Sequence, residues 1–201
     1  MKKGIDVAKW NGTIDWKKVK ASGTQFAVLK VINKQGRTEE SFEKNYAGTM
    51  AQRIPVDVYN YSYATSIQKA TQDANAVLAH IKGKNVGYVW MDVEDKIQMG
   101  LAMTLIDMIN AYQSIIERAG YKFGVYTGLY FYNTYIKPYR SSVHCPFWIA
   151  RYPSGAVMDM TMEPRKDKKP VISPHELLGW QYTSSGRVDG IQGNVDLNIR
   201  Y

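Results

Sequence analysis

The strongest constraint on the fold is a rhythm. In the first 136 residues a short apolar run is followed by a stretch with helical spacing, five times over. The apolar runs lie at 4–7, 26–32, 56–63, 88–94 and 123–127. The run at 26–32 is nearly continuous and rich in β-branched residues, as in a strand buried on both faces. The intervening helices are expected at 14–20, 39–53, 66–82, 101–119 and 129–136. Thr13 or Asp15 is placed to cap the first helix, Gly120 to stop the fourth and Pro138 to end the fifth. The third presents Ile67, Ala70, Ala74, Val77, Leu78 and Ile81 on one stripe. Five βα units at about 25-residue spacing argue for a parallel sheet with right-handed crossovers.

After Pro138 the rhythm changes. Strands are expected at 147–152, 177–182 and 193–198, with no convincing helix between them. Residues 153–176 form a long polar loop with Pro153, Pro164, Pro170, Pro174 and the basic run 165–169. That loop reads first as a solvated insertion, and alternatively as a groove rim or a contact with an anionic wall. About eight strands suggest closure into a barrel, and 201 residues sit at the lower length limit of a (β/α)₈ barrel. The fold class is therefore α/β, a barrel lacking its last helices. A doubly wound open sheet is the rival architecture. No G-x-G-x-x-G follows the first strand and no Walker lysine motif exists, so nucleotide binding is unsupported.

Composition narrows the function. Hydrophobic residues at 45% and charged residues at 22% exclude general disorder. No apolar run is long enough for a membrane helix, so no membrane insertion is expected. The basic start of the chain lacks the apolar stretch of a signal peptide. One cysteine, Cys145, excludes an internal disulfide and a multi-Cys zinc site. His80, His144 and His175 are too scattered to suggest a metal site, and neither metal nor organic cofactor is expected. The net charge of +8, with 15 Tyr and 5 Trp, points to an anionic polymer, either nucleic acid or a bacterial wall.

Four carboxylates fall where strands end. In a parallel barrel those ends form the active face. Asp6 belongs to the first strand, Asp92 and Glu94 end the fourth, and Asp196 lies in the last. Asp92 and Glu94 are two residues apart and face the same side, while Val93 points into the layer behind. Like charges repel and burial disfavours ionisation, so one member of the pair is expected to have a raised pKa, and one protonated and one ionised carboxyl is what glycoside hydrolysis requires. Asp6 alone could instead be a cap or turn residue, and Asp196 an Asx turn beside Gly193 and Asn194. Tyr61, Tyr63, Trp148, Tyr152, Trp180 and Tyr182 could line the core or stack on sugar rings.

Six motifs then appear in order: G-I-D-V-A-K-W-N-G-T-I-D-W at 4–16, Y-N-Y-S-Y-A at 59–64, W-M-D-V-E-D at 90–95, G-V-Y-T at 124–127, W-I-A-R-Y at 148–152 and W-Q-Y-T-S-S-G-R-V-D-G-I-Q-G-N-V-D-L-N at 180–198. Together they strongly resemble the glycoside hydrolase family 25 muramidases, the lysozymes of bacteriophage endolysins and of some bacteria and fungi. The resemblance implies an irregular, TIM-like (β/α)₅(β)₃ barrel, with residues 1–201 as a single catalytic domain. It implies cleavage of the β-1,4 bond between N-acetylmuramic acid and N-acetylglucosamine in peptidoglycan, with net retention. Glu94 falls on the general acid and Asp92 on its partner carboxylate. Asp92 is expected to orient the substrate's acetamido group rather than attack the sugar. Asp6 and Asp196 fall on the other acidic residues of the groove, with Tyr61, Tyr63, Tyr126, Trp148, Tyr152 and Trp180 as substrate-binding candidates.

The endolysin resemblance also implies accumulation in the host cytoplasm and holin-type release to the wall, with a possible separate wall-binding domain absent from this chain. A non-catalytic sugar-binding module and a nucleic-acid binder are the competing readings. The scattered basic residues and the lack of a nucleic-acid motif weigh against the second. If the groove is acidic, the positive charge is expected to lie away from Asp6, Asp92, Glu94 and Asp196.

Overall fold

A computed structural model describes residues 1–153, 157–173 and 176–201. Parts of the expected 153–176 loop, including Pro174, and His175 lie outside the described residues. The strands are β1 (Lys2–Val7), β2 (Phe26–Lys30), β3 (Val56–Tyr61), β4 (Tyr88–Asp92), β5 (Lys122–Gly128), β6 (Phe147–Ala150), β7 (Met158–Asp159), β8 (Leu177–Arg187) and β9 (Val195–Arg200). The helices are α1 (Trp16–Ala21), α2 (Phe42–Ala51), α3 (Ile67–Ile81) and α4 (Met103–Arg118). β1 to β6 pair in succession, all parallel. β6 then pairs with β8, β8 with β9 and β9 with β1, so eight strands close a barrel. The open-sheet alternative is thereby excluded. The two-residue β7 is an appendage on the far end of β8.

β9 departs from the parallel rhythm. It runs antiparallel to both its neighbours. The connection from Arg187 to Val195 is too short for a parallel crossover, which takes a dozen residues or more, so the chain turns back as a hairpin.

Local chemistry sets the helices. Asp15, not Thr13, caps α1 by accepting from the amides of Lys17 and Lys18 at 3.1 and 3.2 Å. Ser66 caps α3 through the Lys69 amide. The α3 stripe buries Ala70, Ala74, Val77 and Ile81, but Ile67, in the first turn, is 45% exposed. The expected helix at 129–136 is a helical turn (Leu129–Phe131) followed by a π-helical turn (Tyr132–Ile136). Pro138 does not stop the chain's helical course. It opens a further 3₁₀ segment, Lys137–Ser142, at a position where no amide is needed.

Two cores result. A large one lies between the barrel and its helices. A small aromatic one, with Phe26, Val28, Trp90, Tyr126 and Trp148, fills the barrel. The interior fits because glycines face the large rings. A β-carbon at Gly124 would lie 2.3 Å from Trp90, one at Gly179 2.8 Å from Trp148, and one at Gly4 2.5 Å from the Phe26 carbonyl. At the floor Arg200 forms an ion pair with buried Asp57, whose oxygens also accept from the Tyr88 amide and Trp90 Nε1.

The described part of the polar loop is anchored rather than merely solvated. Lys3 Nζ donates to the Met160 and Met162 carbonyls at 3.0 and 2.9 Å and pairs with Glu163. The basic run 165–169 packs beside Met1, Tyr201 and the outer face of Trp180, and Lys169 Nζ stands 3.8 Å over the Tyr201 ring. It is therefore on the barrel's outer wall, not the rim of the mouth.

Candidate active site

At one mouth of the barrel, the C-terminal ends of the parallel strands meet the start of β9. The reversed direction of β9 is what brings Asp196 there. It stands in register with Asp6 across the β1–β9 ladder, so neither residue is a turn or cap. Asp6 Oδ2 accepts from Asn198 Nδ2 at 2.8 Å and from Gln181 Nε2 at 2.9 Å. Gln181 Nε2 also reaches Asp196 Oδ2 at 3.3 Å. Burial raises the pKa of both aspartates, and their mutual repulsion pushes Asp196 up further.

Gln181 organises this half of the mouth. Its carbonyl oxygen accepts from the hydroxyls of Tyr126 at 2.7 Å and Tyr152 at 2.6 Å. Asn198 accepts in turn from Trp148 Nε1 at 2.9 Å. Neither amide was singled out from the sequence. The available signal was their place two residues from Gly179 and Asp196, on the inward phase of β8 and β9.

The other half is built on β4. Asp92 is its last residue and only 5% exposed, and its Oδ1 has no hydrogen-bond partner among the described residues. Burial and the neighbouring Glu94 push Asp92 well above the usual carboxylate range, against the pull of Lys30. Glu94 is half-buried. Burial raises its pKa and the backbone amide of Gly128 opposes the rise. Val93 is fully buried behind them, as the two-residue spacing requires. Burial thus favours the protonated form of both carboxyls, and more strongly at the deeper Asp92. Asp95 turns aside, accepting from the Tyr61 hydroxyl at 3.0 Å and from the Ile97 amide at 3.0 Å. Tyr61 is thereby fixed with its ring 4.8 Å from that of Tyr63.

The mouth thus gathers Asp6, Asp92, Glu94, Asp196, Tyr61, Tyr126 and Tyr152, with Tyr63 at its edge. Two expected aromatics are placed elsewhere. Trp148 is 4% exposed and lies beneath the mouth, edge-on to Tyr126 at 4.5 Å, where it supports rather than stacks. Trp180 is 2% exposed and faces outward, its Nε1 donating to the Arg151 carbonyl. Strand alternation is the reason: Gln181 takes the inward position, so Trp180 and Tyr182 must take the outer core. One lysine departs from the expected separation of charge. Lys30 extends from the end of β2 into the acidic mouth, close enough to oppose the rise at Asp92, with its ammonium 5.6 Å from the Tyr61 ring. Among the described residues no group of three His, Cys, Asp or Glu side chains is placed to hold a metal ion.

Known proteins share this arrangement of chain. The family model described as "Glycosyl hydrolases family 25" matches residues 5–191. The autolytic lysozyme of Clostridium acetobutylicum is 26% identical over 201 residues, which is 98% of this chain and 55% of that protein. The catalytic domain of endolysin ply40 from bacteriophage P40 of Listeria monocytogenes superposes with a TM-score of 0.79 at 25% identity, over 100% of this chain and 93% of that one. The modular autolysin LytC of Streptococcus pneumoniae, in complex with a synthetic peptidoglycan ligand, gives 0.80 at 27% identity, over 100% and 46%. The chain thus spans about half the length of that lysozyme and of that autolysin.

Proposed function

The chain belongs to glycosyl hydrolase family 25 and is a glycosidase, and from that premise we propose that it cleaves peptidoglycan at the β-1,4 bond between N-acetylmuramic acid and N-acetylglucosamine. The observation that carries this reading is the Asp92–Glu94 pair, two carboxyls with raised pKa values at one strand end inside an acidic, tyrosine-walled mouth. Glu94 is the general acid and gives its proton to the leaving glycosidic oxygen. Its half-buried position lets it reach a bound glycan while its carboxyl stays protonated nearer neutral pH than a free glutamate.

Asp92 assists from below. Its buried, unpartnered oxygen is an acceptor without a donor. The N–H of a 2-acetamido group would supply that donor and stabilise the Asp92 anion, leaving the pair's proton on Glu94. The acetamido carbonyl oxygen then attacks the anomeric carbon as the leaving oxygen takes the Glu94 proton. Ionised Glu94 next removes a proton from water, which opens the cyclic intermediate with net retention. Asp6 and Asp196, bridged by Gln181, hold Tyr126 and Tyr152 as the facing wall.

Glu94→Gln keeps the shape and removes the proton. Its rate of wall lysis is expected to fall at least about 10²-fold. Mass spectrometry of reduced digests should show muramitol at the new ends. Near-normal lysis by Glu94→Gln would overturn the assignment of Glu94, reduced glucosamine ends would overturn the bond specificity, and a sugar trapped covalently on Asp92 would overturn the assisting role.

A further inference from the structure

Beside the acidic mouth, the loops after β1, β2 and β3 enclose a second cleft of about 220 Å³. We propose that this cleft is a subsite for a carboxylate carried on a side arm of the glycan, namely the lactyl group of a muramyl residue or the peptide attached to it, and that Lys34 is its anion-binding group. The inference rests on the glycan reading of the mouth and adds the substituent that the mouth does not read.

The cleft is built rather than incidental. Glu39 is 3% exposed and ties two of its loops together. One oxygen accepts from the Lys9 amide at 2.8 Å, and the other from the amide and hydroxyl of Ser41 at 2.8 and 2.6 Å. These bonds hold the carboxylate in place, while its charge still acts on Lys9 and Lys30. Asn33 fixes the turn that carries Lys34, accepting from the amides of Gln35 and Arg37 at 3.0 and 3.1 Å.

Three lysines, Lys9, Lys30 and Lys34, line the cleft against two glutamates, Glu39 and Glu40. Lys9 pairs with Glu40 at 2.8 Å. Neither Lys30 nor Lys34 has a carboxylate within 4.0 Å among the described residues. Lys30 is engaged with the mouth, where it opposes the rise at Asp92. Lys34 is the cation left over, its ammonium 4.6 Å from the Tyr63 ring centre.

The walls suit a sugar-borne acid. Trp10 is 83% exposed, an indole face of this size left open beside lysines. The cleft is also continuous with the mouth. Tyr63 is ring to ring with Tyr61, and Lys30 lines both spaces. A glycan bound across Asp92 and Glu94 can therefore lay a side arm between Trp10 and Tyr63 with its carboxylate at Lys34.

The test compares equilibrium binding of N-acetylmuramic acid, muramyl dipeptide and N-acetylglucosamine to the whole chain and to Lys34→Met and Lys34→Arg. Wild type should favour a carboxylate-bearing ligand over N-acetylglucosamine about three- to fivefold, the scale of an exposed charge contact. Lys34→Met should lose that preference and Lys34→Arg keep it. Preference for N-acetylmuramic acid assigns the lactyl carboxylate, and preference for the dipeptide alone assigns the peptide. No preference in wild type, or one that survives Lys34→Met, overturns the subsite. Failure of the wild type to release new reducing ends from peptidoglycan would instead overturn the glycan reading, a separate result from a separate assay.

Discussion

At the scale of single residues, the mouth concentrates groups whose ionisation burial opposes. Asp6 and Asp196 hold a proton more tightly folded than unfolded, so their charged forms cost stability. For a carboxyl with a raised folded pKa, that cost is absent below its ordinary value of 3.8 and grows as pH rises towards the folded value. Asp196→Asn removes the penalty and leaves an amide that can donate to Asp6. Urea denaturation at pH 7 should show the variant more stable than wild type by about 1 kcal/mol or more, with the gap closing near pH 4. A gap of the same size at both pH values would show that the aspartates are ionised without strain. The carboxylates themselves were legible in the sequence because a D-x-E spacing after an apolar run fixes both side chains on one face. Gln181 and Lys30 were not, because an amide or a lysine has no distinctive local pattern. Their meaning comes from what stands opposite them.

At the scale of elements, the barrel fills its interior by setting glycine against large rings on neighbouring strands. Trp90 on β4 occupies the space beside Gly124 on β5, and the two are in register. Gly124→Ala would put a carbon 2.3 Å from a ring that is itself fully packed. The loss is expected to be about 1–3 kcal/mol, the usual cost of overpacking. Gly128→Ala in the same strand meets only Glu94 Oε2 at 3.7 Å and should lie within about 0.5 kcal/mol of wild type. Equal urea midpoints for the two variants would refute the interlocking account. The strand and helix order was readable because periodicity and caps are local, as Asp15 and Ser66 show. The bounds were less so: the expected helix at 39–53 begins only at Phe42, because Glu39 is taken by the cleft loops.

At the scale of the molecule, closure joins residues far apart in the chain. Arg200 on β9 and Asp57 on β3 lie across the barrel floor, 143 positions apart. Burial raises the Asp57 pKa and Arg200 opposes the rise. Arg200→Ala would strand a buried carboxylate at a cost of about 3–5 kcal/mol. Without its partner Asp57 gains a proton more readily, so the deficit relative to wild type should shrink as pH falls below neutral. A deficit independent of pH in urea titrations would assign the loss to packing alone. By itself the sequence determined that five βα units precede a helix-poor end, that the length suits one barrel, and that Asp92 and Glu94 share a face. Those properties depend on period, composition and spacing, which act between near neighbours. The tertiary structure alone decided that β9 runs antiparallel, that Gln181 rather than Trp180 faces the mouth, that Lys30 sits among the acids, and that Trp10, Lys34 and Tyr63 enclose one cleft. Strand direction, register and loop convergence are set by pairings across the closed barrel, and no local pattern encodes them.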